Sequence, residues 1–519
     1  MRIALIAPPY PLEEAPSPPL GTASIAAVCL QAGTEVIILD FIVTKYSPEK
    51  LQNLLNQFKP DIIGINSVTM NFKKAAEIIS EAKKILPHAL TIMGGPHVSF
   101  DPENTLHTYP HIDMIAMKEG ESIISEIIDS LKNNASLENI SGTAFRKDGT
   151  VIINDARPFI TNLDSLPVPA RHLLPLSKYR ALGFPVSITT SRGCPNMCIF
   201  CLGRKMVGYK VRYRKINMVL DEIESLLDLG FNVINIADDT FTAKKERVLE
   251  FCHGIRDRNL VFSWSVFSRV NTIDEEMITA MKDAGCTALS FGIESGSRDI
   301  LKKIKKGITV EQVYKADTIC AEKGIRAHGS FIAGLPGETT ESFGDTILMQ
   351  NTLTMEYGCH ILAPFPGTSV REEIENHDLE ILTDDWDLYD ANHAVIRTSS
   401  LTPDEILQLV ETSHQEITDN WRQLNDRYLQ KETSHDETLM VMASRRAKLI
   451  YAILSEDLIE ENEKIEGKFK DAFTELTRRL SEHTGIENEL TEIFISRLIE
   501  EGLLQHCEKD GKTFFSWSR

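Results

Sequence analysis

The chain has 519 residues, 42% hydrophobic and 25% charged, with a formal net charge of −20. That length exceeds one ordinary core and implies about two to four domains, while the acidity argues against non-specific nucleic-acid binding, whose signature is a basic surface. No apolar run reaches the roughly 18 residues of a membrane span, and nine cysteines without paired spacing fit a reducing cytoplasm better than a disulfide scaffold.

From the first residue to about 132, short apolar runs alternate with helical periodicity. Strands are predicted over 3–7, 36–39, 62–66, 91–94 and 114–117, with helices such as 22–32 and 72–85 between them. The opening run is too short for a signal peptide and meets Pro8-Pro9 at once, so it reads as a buried strand. Five strands separated by helices imply an open parallel sheet covered on both faces. Such sheets bind ligands beyond their C-terminal strand ends. The predicted site is lined by Pro8, Pro9, Tyr10, Ser67, Thr69 and Gly94-Gly95-Pro96-His97, whose glycines let a backbone approach a phosphate or a flat ring.

Residues 140–184 change character, with a hairpin around Asp148-Gly149 and then a proline-rich stretch, and read as a connector. From 185 to 382 strand–helix alternation resumes, implying a parallel barrel or partial barrel with its site at the C-terminal strand ends. Asp238-Asp239 follow one predicted strand directly; they are candidates to hold a substrate group or position a proton acceptor, with a solvated or helix-capping pair as the alternative. Arg269, just past the next strand, either faces a carboxylate or forms a surface ion pair. The basic run Arg204, Lys205, Lys210, Arg212, Arg214 and Lys215 is short, and in so acidic a chain it serves something local or is solvated. Residues 383–439 read as a helical extension. Residues 440–519 read as helices followed by a hairpin at Lys509-Asp510-Gly511, a small winged-helix-like module that either grips a peptide or packs as a structural domain.

The most informative feature is Cys194, Cys198 and Cys201, on a loop flanked by Gly and Pro just after an apolar run. Thiolates this close suit an iron–sulfur cluster. Three ligands for four irons leave one position open, as a catalytic metal site needs. Zinc would require a fourth ligand, and the neighbouring sequence offers no histidine.

The C-x3-C-x2-C spacing, with Phe200 directly before the last cysteine, resembles the radical S-adenosylmethionine (SAM) superfamily. Phe291–Ser297 and Gly334–Thr339 resemble the strand-end turns that border SAM there, which implies SAM contacts by Gly292, Glu294, Ser295, Gly334 and Arg269. Pro19–Thr22, Gly94–His97 and Glu119-Gly120-Glu121 resemble the cobalamin-binding domain that precedes many such cores. The Asp-x-His-x-x-Gly motif that supplies a cobalt ligand elsewhere is absent, and His97 reads as a turn or tail-binding residue rather than that ligand.

The resemblance implies an α/β protein: a cobalamin-binding domain over 1–139, a linker, a radical SAM partial barrel over 185–382, and a mainly helical C-terminus. It implies a [4Fe-4S] cluster, SAM and cobalamin, with an electron donor such as flavodoxin or ferredoxin. It implies methyl transfer to an unactivated carbon of a small molecule or peptide, with anaerobic ring cyclisation as the alternative and a non-catalytic corrinoid or cluster carrier as a third. In the leading case one SAM methylates the cobalt, and a second yields the 5′-deoxyadenosyl radical that abstracts a substrate hydrogen.

Overall fold

Every residue of the first strand except Arg2 is buried, and its side chains alternate between two cores. Ile3 and Leu5 pack under helices Leu20–Gln31 and Glu121–Lys132. Ala4 and Ile6 pack under helices Pro48–Phe58 and Phe72–Ile85. A strand buried on both faces belongs in the middle of a parallel sheet covered by helices on both sides.

The structure, a computed structural model, describes residues 1–518. In the first sheet, β1 (Arg2–Ala7), β2 (Glu35–Asp40), β3 (Ile62–Asn66), β4 (Leu90–Gly94) and β5 (Met114–Ala116) are parallel, in the order β2-β1-β3-β4-β5. The strand order reverses between β1 and β3, which opens a crevice at their C-terminal ends. The hairpin read as part of the connector, β6 (Thr143–Lys147) and β7 (Thr150–Ile153), instead extends this sheet antiparallel beyond β5. Thr143, Ala144 and Phe145 are buried on its two faces, and Ala144 joins the core under helices Pro48–Phe58 and Phe72–Ile85.

The second sheet holds β8 (Val186–Ile188), β11 (Val233–Ile236), β12 (Ser263–Ser268), β13 (Cys286–Glu294), β14 (Arg326–Ala333) and β15 (Glu356–Ile361), all parallel and in sequence order across the sheet. Strand β15 does not pair with β8, so the barrel is open. Between β8 and β11, the short strands β9 (Ser191–Arg192) and β10 (Arg212–Tyr213) pair antiparallel and bracket the cysteine loop. Trp264, Leu289, Phe291 and Phe331 are fully buried on the helix-covered side.

Beyond the barrel, helix Pro403–Leu429 packs on β15, and helix His435–Ser455 packs on helix Leu176–Leu182. The tail ends in helices Phe469–Thr484 and Asn488–Glu500 with a three-stranded antiparallel sheet of Lys464–Glu466, Lys512–Trp517 and Leu504–Lys509. Its apolar residues join the barrel core, and Arg446 Nη2 donates to Ala181 O at 2.8 Å while Lys178 pairs with Glu460 at 2.6 Å. In the last helix Phe494, Ile495 and Leu498 are buried, whereas Ile493 is 43% exposed. Among the described residues, no helix is long and apolar enough to cross a membrane.

Candidate active site

The C-terminal ends of the two sheets face a common cavity of about 420 Å³. From the first sheet it is bordered by Asn66, Gly94, Gly95 and the Lys118–Glu121 turn; from the second, by Thr189, Ser191, Arg192, Ala237 and Asp239, with Met206 and Val207 from the end of the cysteine loop. An apolar slot continues from it between the sheet and two helices, flanked by Leu5, Gly64, Ile92 and Ile124. Gly95 has φ +108°, and a Cβ there would run into Ser67 O and Asn66, so only glycine lets the chain turn at this rim.

A buried ionic network joins the two rims. Arg192, on β9, pairs with Glu121 at 2.6 Å and with Glu119 at 3.2 Å; Arg212, on β10, pairs with Glu119 at 2.9 Å. Glu119 also accepts from the Ile160 backbone N–H at 2.8 Å. Burial opposes the charge on Arg192, but the two carboxylates outweigh it and raise its pKa above the ordinary value. Of the basic run that reads from sequence as local or solvated, Arg212 and Arg214 are internal, whereas Lys210 and Lys215 are exposed: Arg214 pairs with the buried Glu222 at 2.6 Å, which also holds Arg171 at 2.7 Å.

The cysteine loop is held from several sides. Gly193 has φ +117° and a Cβ would lie 2.5 Å from Lys210 O, so the bend into Cys194 requires glycine. Cys194 N–H donates to Gly208 O at 3.0 Å, Ile199 N–H to Ile304 O at 3.1 Å, and Val370 N–H to Ile199 O at 3.1 Å. The Gly203 N–H points at Cys201 Sγ (3.4 Å) and Asn196 Nδ2 at Cys194 Sγ (3.3 Å). Burial, and then the thiols of Cys198 and Cys194 with Asp239, push the Cys201 thiol up to about 11. A bound cation reverses that crowding. Among the described residues, no three His, Cys, Asp or Glu side chains converge on a point that would hold a single metal ion. Three thiols on one short loop fit a multi-iron cluster, whose ligands sit on different irons.

The structure separates Asp238 from Asp239. Asp238 is buried and both its oxygens are committed: Oδ1 accepts from Thr190 N (2.6 Å) and Ser191 N (3.0 Å), and Oδ2 from Thr190 Oγ1 (2.6 Å) and Ser191 Oγ (2.7 Å). The sequence-based role for Asp238 as a free carboxylate is corrected: it clamps the chain entering the cysteine loop. Asp239 borders the cavity and accepts from the Gly193 backbone N–H, and desolvation raises its pKa.

Several residues expected at the SAM edge are likewise occupied. Glu294, at φ +74°, pairs with Lys306 at 2.6 Å in a buried contact, and this pair fills the space above Gly292. Lys306 also lies over the Phe200 ring at 5.7 Å. Arg269 donates to Lys306 O and points Nη1 at Cys198 Sγ (3.9 Å), leaving its buried Nε without a partner. Ser295 is fully buried against Thr346, and the Gly334 N–H donates to Glu338 at 2.7 Å, so both are internal to their turns.

In the first sheet, Gly94, Gly95, Glu119 and Gly120 border the cavity, whereas Pro8, Pro9, Ser67, Thr69 and His97 do not. His97 is 1% exposed, stacked on Phe72 with centroids 3.8 Å apart, and its Nδ1 lies 3.3 Å from Thr69 Oγ1. Burial, with Arg371 nearby, pushes its pKa down to about 3, so it is a neutral core histidine. The buried hydroxyl of Thr22, which borders the cavity without a partner, together with the apolar slot, fits a large flat ligand that carries both polar edges and an apolar ring. Arg192 and Asn66 escaped the sequence reading, because no spacing marks them; Thr22 and Glu121 stand in motifs that resemble the cobalamin-binding domain, but the pairing of Glu121 with Arg192 links segments 71 positions apart.

A family model described as the radical SAM superfamily matches residues 188–349, and one described as the B12 binding domain matches residues 14–128. An uncharacterised methyltransferase of Pyrococcus horikoshii is 35% identical over 422 residues, covering 80% of this chain and 92% of that protein. The anaerobic magnesium-protoporphyrin IX monomethyl ester cyclase of Rubrivivax gelatinosus is 27% identical, covering 76% and 73%. Among solved structures, the cobalamin-dependent SAM radical enzyme OxsB matches with a TM-score of 0.69 at 19% identity, covering 96% of this chain and 80% of that one. The radical SAM methyltransferase TsrM from Kitasatospora setae matches with a TM-score of 0.64 at 20% identity, covering 74% and 79%. With the cysteine loop of one sheet and the glycine rim of the other on a single cavity, the chain belongs to the radical SAM enzymes that carry a B12-binding domain.

Proposed function

We propose that the protein transfers a methyl group to an unactivated carbon, with Cys194, Cys198 and Cys201 as ligands of a [4Fe-4S] cluster. The single observation behind this reading is the cavity that both sheets border, since a methyl carrier and a radical source must meet one substrate carbon in a fixed geometry. When bound, the cluster and SAM supply a 5′-deoxyadenosyl radical and cobalamin supplies a transferable methyl group.

The chain's own residues do the positioning. Arg192, Arg212, Glu119 and Glu121 hold the rims together. The apolar slot and the Gly94-Gly95 rim receive the flat cofactor, and the partnerless Arg269 Nε together with Asp239 offers a cation and an anion beside the cysteine loop for SAM's carboxylate and ammonium. On this reading the chain divides into a cobalamin-binding unit, a radical SAM barrel and a helical C-terminal unit, and flavodoxin or ferredoxin delivers the electron.

The test is anaerobic reconstitution followed by reduction with dithionite in the presence of SAM. The wild-type protein is expected to hold one four-iron cluster and release 5′-deoxyadenosine. The triple variant with Cys194, Cys198 and Cys201 each changed to Ala is expected to do neither; deoxyadenosine from that variant would overturn the reading.

A further inference from the structure

A second cavity, of about 540 Å³, lies between the segment after β7 and helix Pro96–Phe100, and it shares Lys118 and Glu119 with the cofactor cavity. Phe100, Met117, Ile153, Phe159 and Ile160 give it apolar walls. We propose that this cavity receives the part of the substrate remote from its reacting carbon, which lies in the adjoining cavity that both sheets border, that this part is apolar and ends in an anionic group such as a carboxylate or phosphate, and that Lys118 reads that group; the proposal rests on the methyl-transfer reading.

The charges around the cavity leave one cation over. Arg157 is paired with Glu126 and donates to Ser141 O, and Glu119 is taken up by Arg192 and Arg212. The other acid at the cavity, Asp155, is exposed. Among the described residues no carboxylate lies within ion-pair distance of Lys118 Nζ, which instead hangs 5.5 Å over the Phe159 ring. The Arg212 guanidinium lies over the same ring at 5.2 Å, and a half-buried ammonium with no carboxylate in reach prefers an anion.

The backbone at Lys118 points the same way. It has φ +63°, a conformation that suits glycine, and its N–H is fixed by Ser99 Oγ at 2.8 Å, which in turn donates to Gly95 O at 2.7 Å. Most other non-glycine residues at positive φ cap helices or turn hairpins, as Lys59 and Asp148 do. Lys118 sits at a strand end between two cavities, where glycine would be easier and would carry no charge. Strain kept at such a place points to use of the side chain.

The test is calorimetric titration of the cobalamin-loaded protein with 1-naphthyl phosphate and with 1-naphthol, which share a ring and differ in charge. The wild-type protein is expected to bind the phosphate at least about tenfold more tightly. Lys118→Gln should abolish that preference and Lys118→Arg should keep it, both with the cobalamin absorbance intact. Lys118→Gly should also abolish it, with a Tm equal to or above that of the wild type. An undiminished preference in Lys118→Gln would overturn the proposal, and so would loss of cobalamin from that variant, since the lysine would then serve the cofactor. The titration needs neither reduction nor SAM, so failure of the methyl-transfer reading would show separately.

Discussion

Arg192 donates to Glu121 at 2.6 Å, and this contact links the residue two positions before Cys194 to the first turn of a helix in the other sheet's domain. The cysteine loop and the rim of the first sheet are thereby set against each other by a buried pair rather than by a flexible connector. Glu119 completes the arrangement by holding Arg192 and Arg212 together.

Glu119→Ala leaves two largely buried guanidiniums short of a partner, and breaking a buried pair in this way costs about 3–5 kcal/mol. Urea unfolding should show that loss, and the purified variant should retain less cobalamin than the wild type. Unchanged stability and cobalamin content would mean that the network does not hold the rims.

Asp238 and Asp239 should behave differently although they are adjacent. Asp238→Asn turns an amide toward donors that now point at a carboxylate, which should loosen the Thr190–Ser191 segment and lower the iron bound after reconstitution. Asp239→Asn should keep its iron and lose SAM affinity instead. Equal iron loss in both variants would place Asp239 in the clamp as well.

Glu338 provides a pH dependence. It is fully buried in the turn after β14, accepts from Gly334 N and Leu335 N on Oε2, and has no partner on Oε1; burial raises its pKa to about 8. The native state therefore holds a proton that the unfolded chain has already released, and stability falls as pH rises from about 4.5 to about 8, by at most ~1.4 kcal/mol per pH unit. Glu338→Gln should flatten that slope in urea titrations across the window. A slope unchanged by the substitution would assign the pH dependence to other groups.

The parts of this fold legible in the sequence are those set by local pattern. Alternating burial and short apolar runs mark β1 to β5 and the barrel strands, and three cysteines in eight positions announce their own chemistry. The ionic network was not legible, because Arg192 and Glu121 are 71 positions apart and nothing in the motif that contains Glu121 says which cation it meets. Asp238 misled for a related reason. A carboxylate at a strand end reads as free until the hydroxyls that claim it, from a segment 47 positions earlier, are in place. His97 sits in a glycine-rich turn that looks like a ligand rim, yet Phe72 and Trp386, from distant segments, turn it into a core residue.

The most direct test of the central claim uses SAM labelled in its methyl group. The reconstituted, reduced protein is incubated anaerobically with a metabolite extract of its source, and products are followed by mass spectrometry. The account predicts a product heavier than its precursor by one labelled methyl in place of a hydrogen, formed together with 5′-deoxyadenosine. A product formed alongside 5′-deoxyadenosine without any label, such as a new ring, would contradict it.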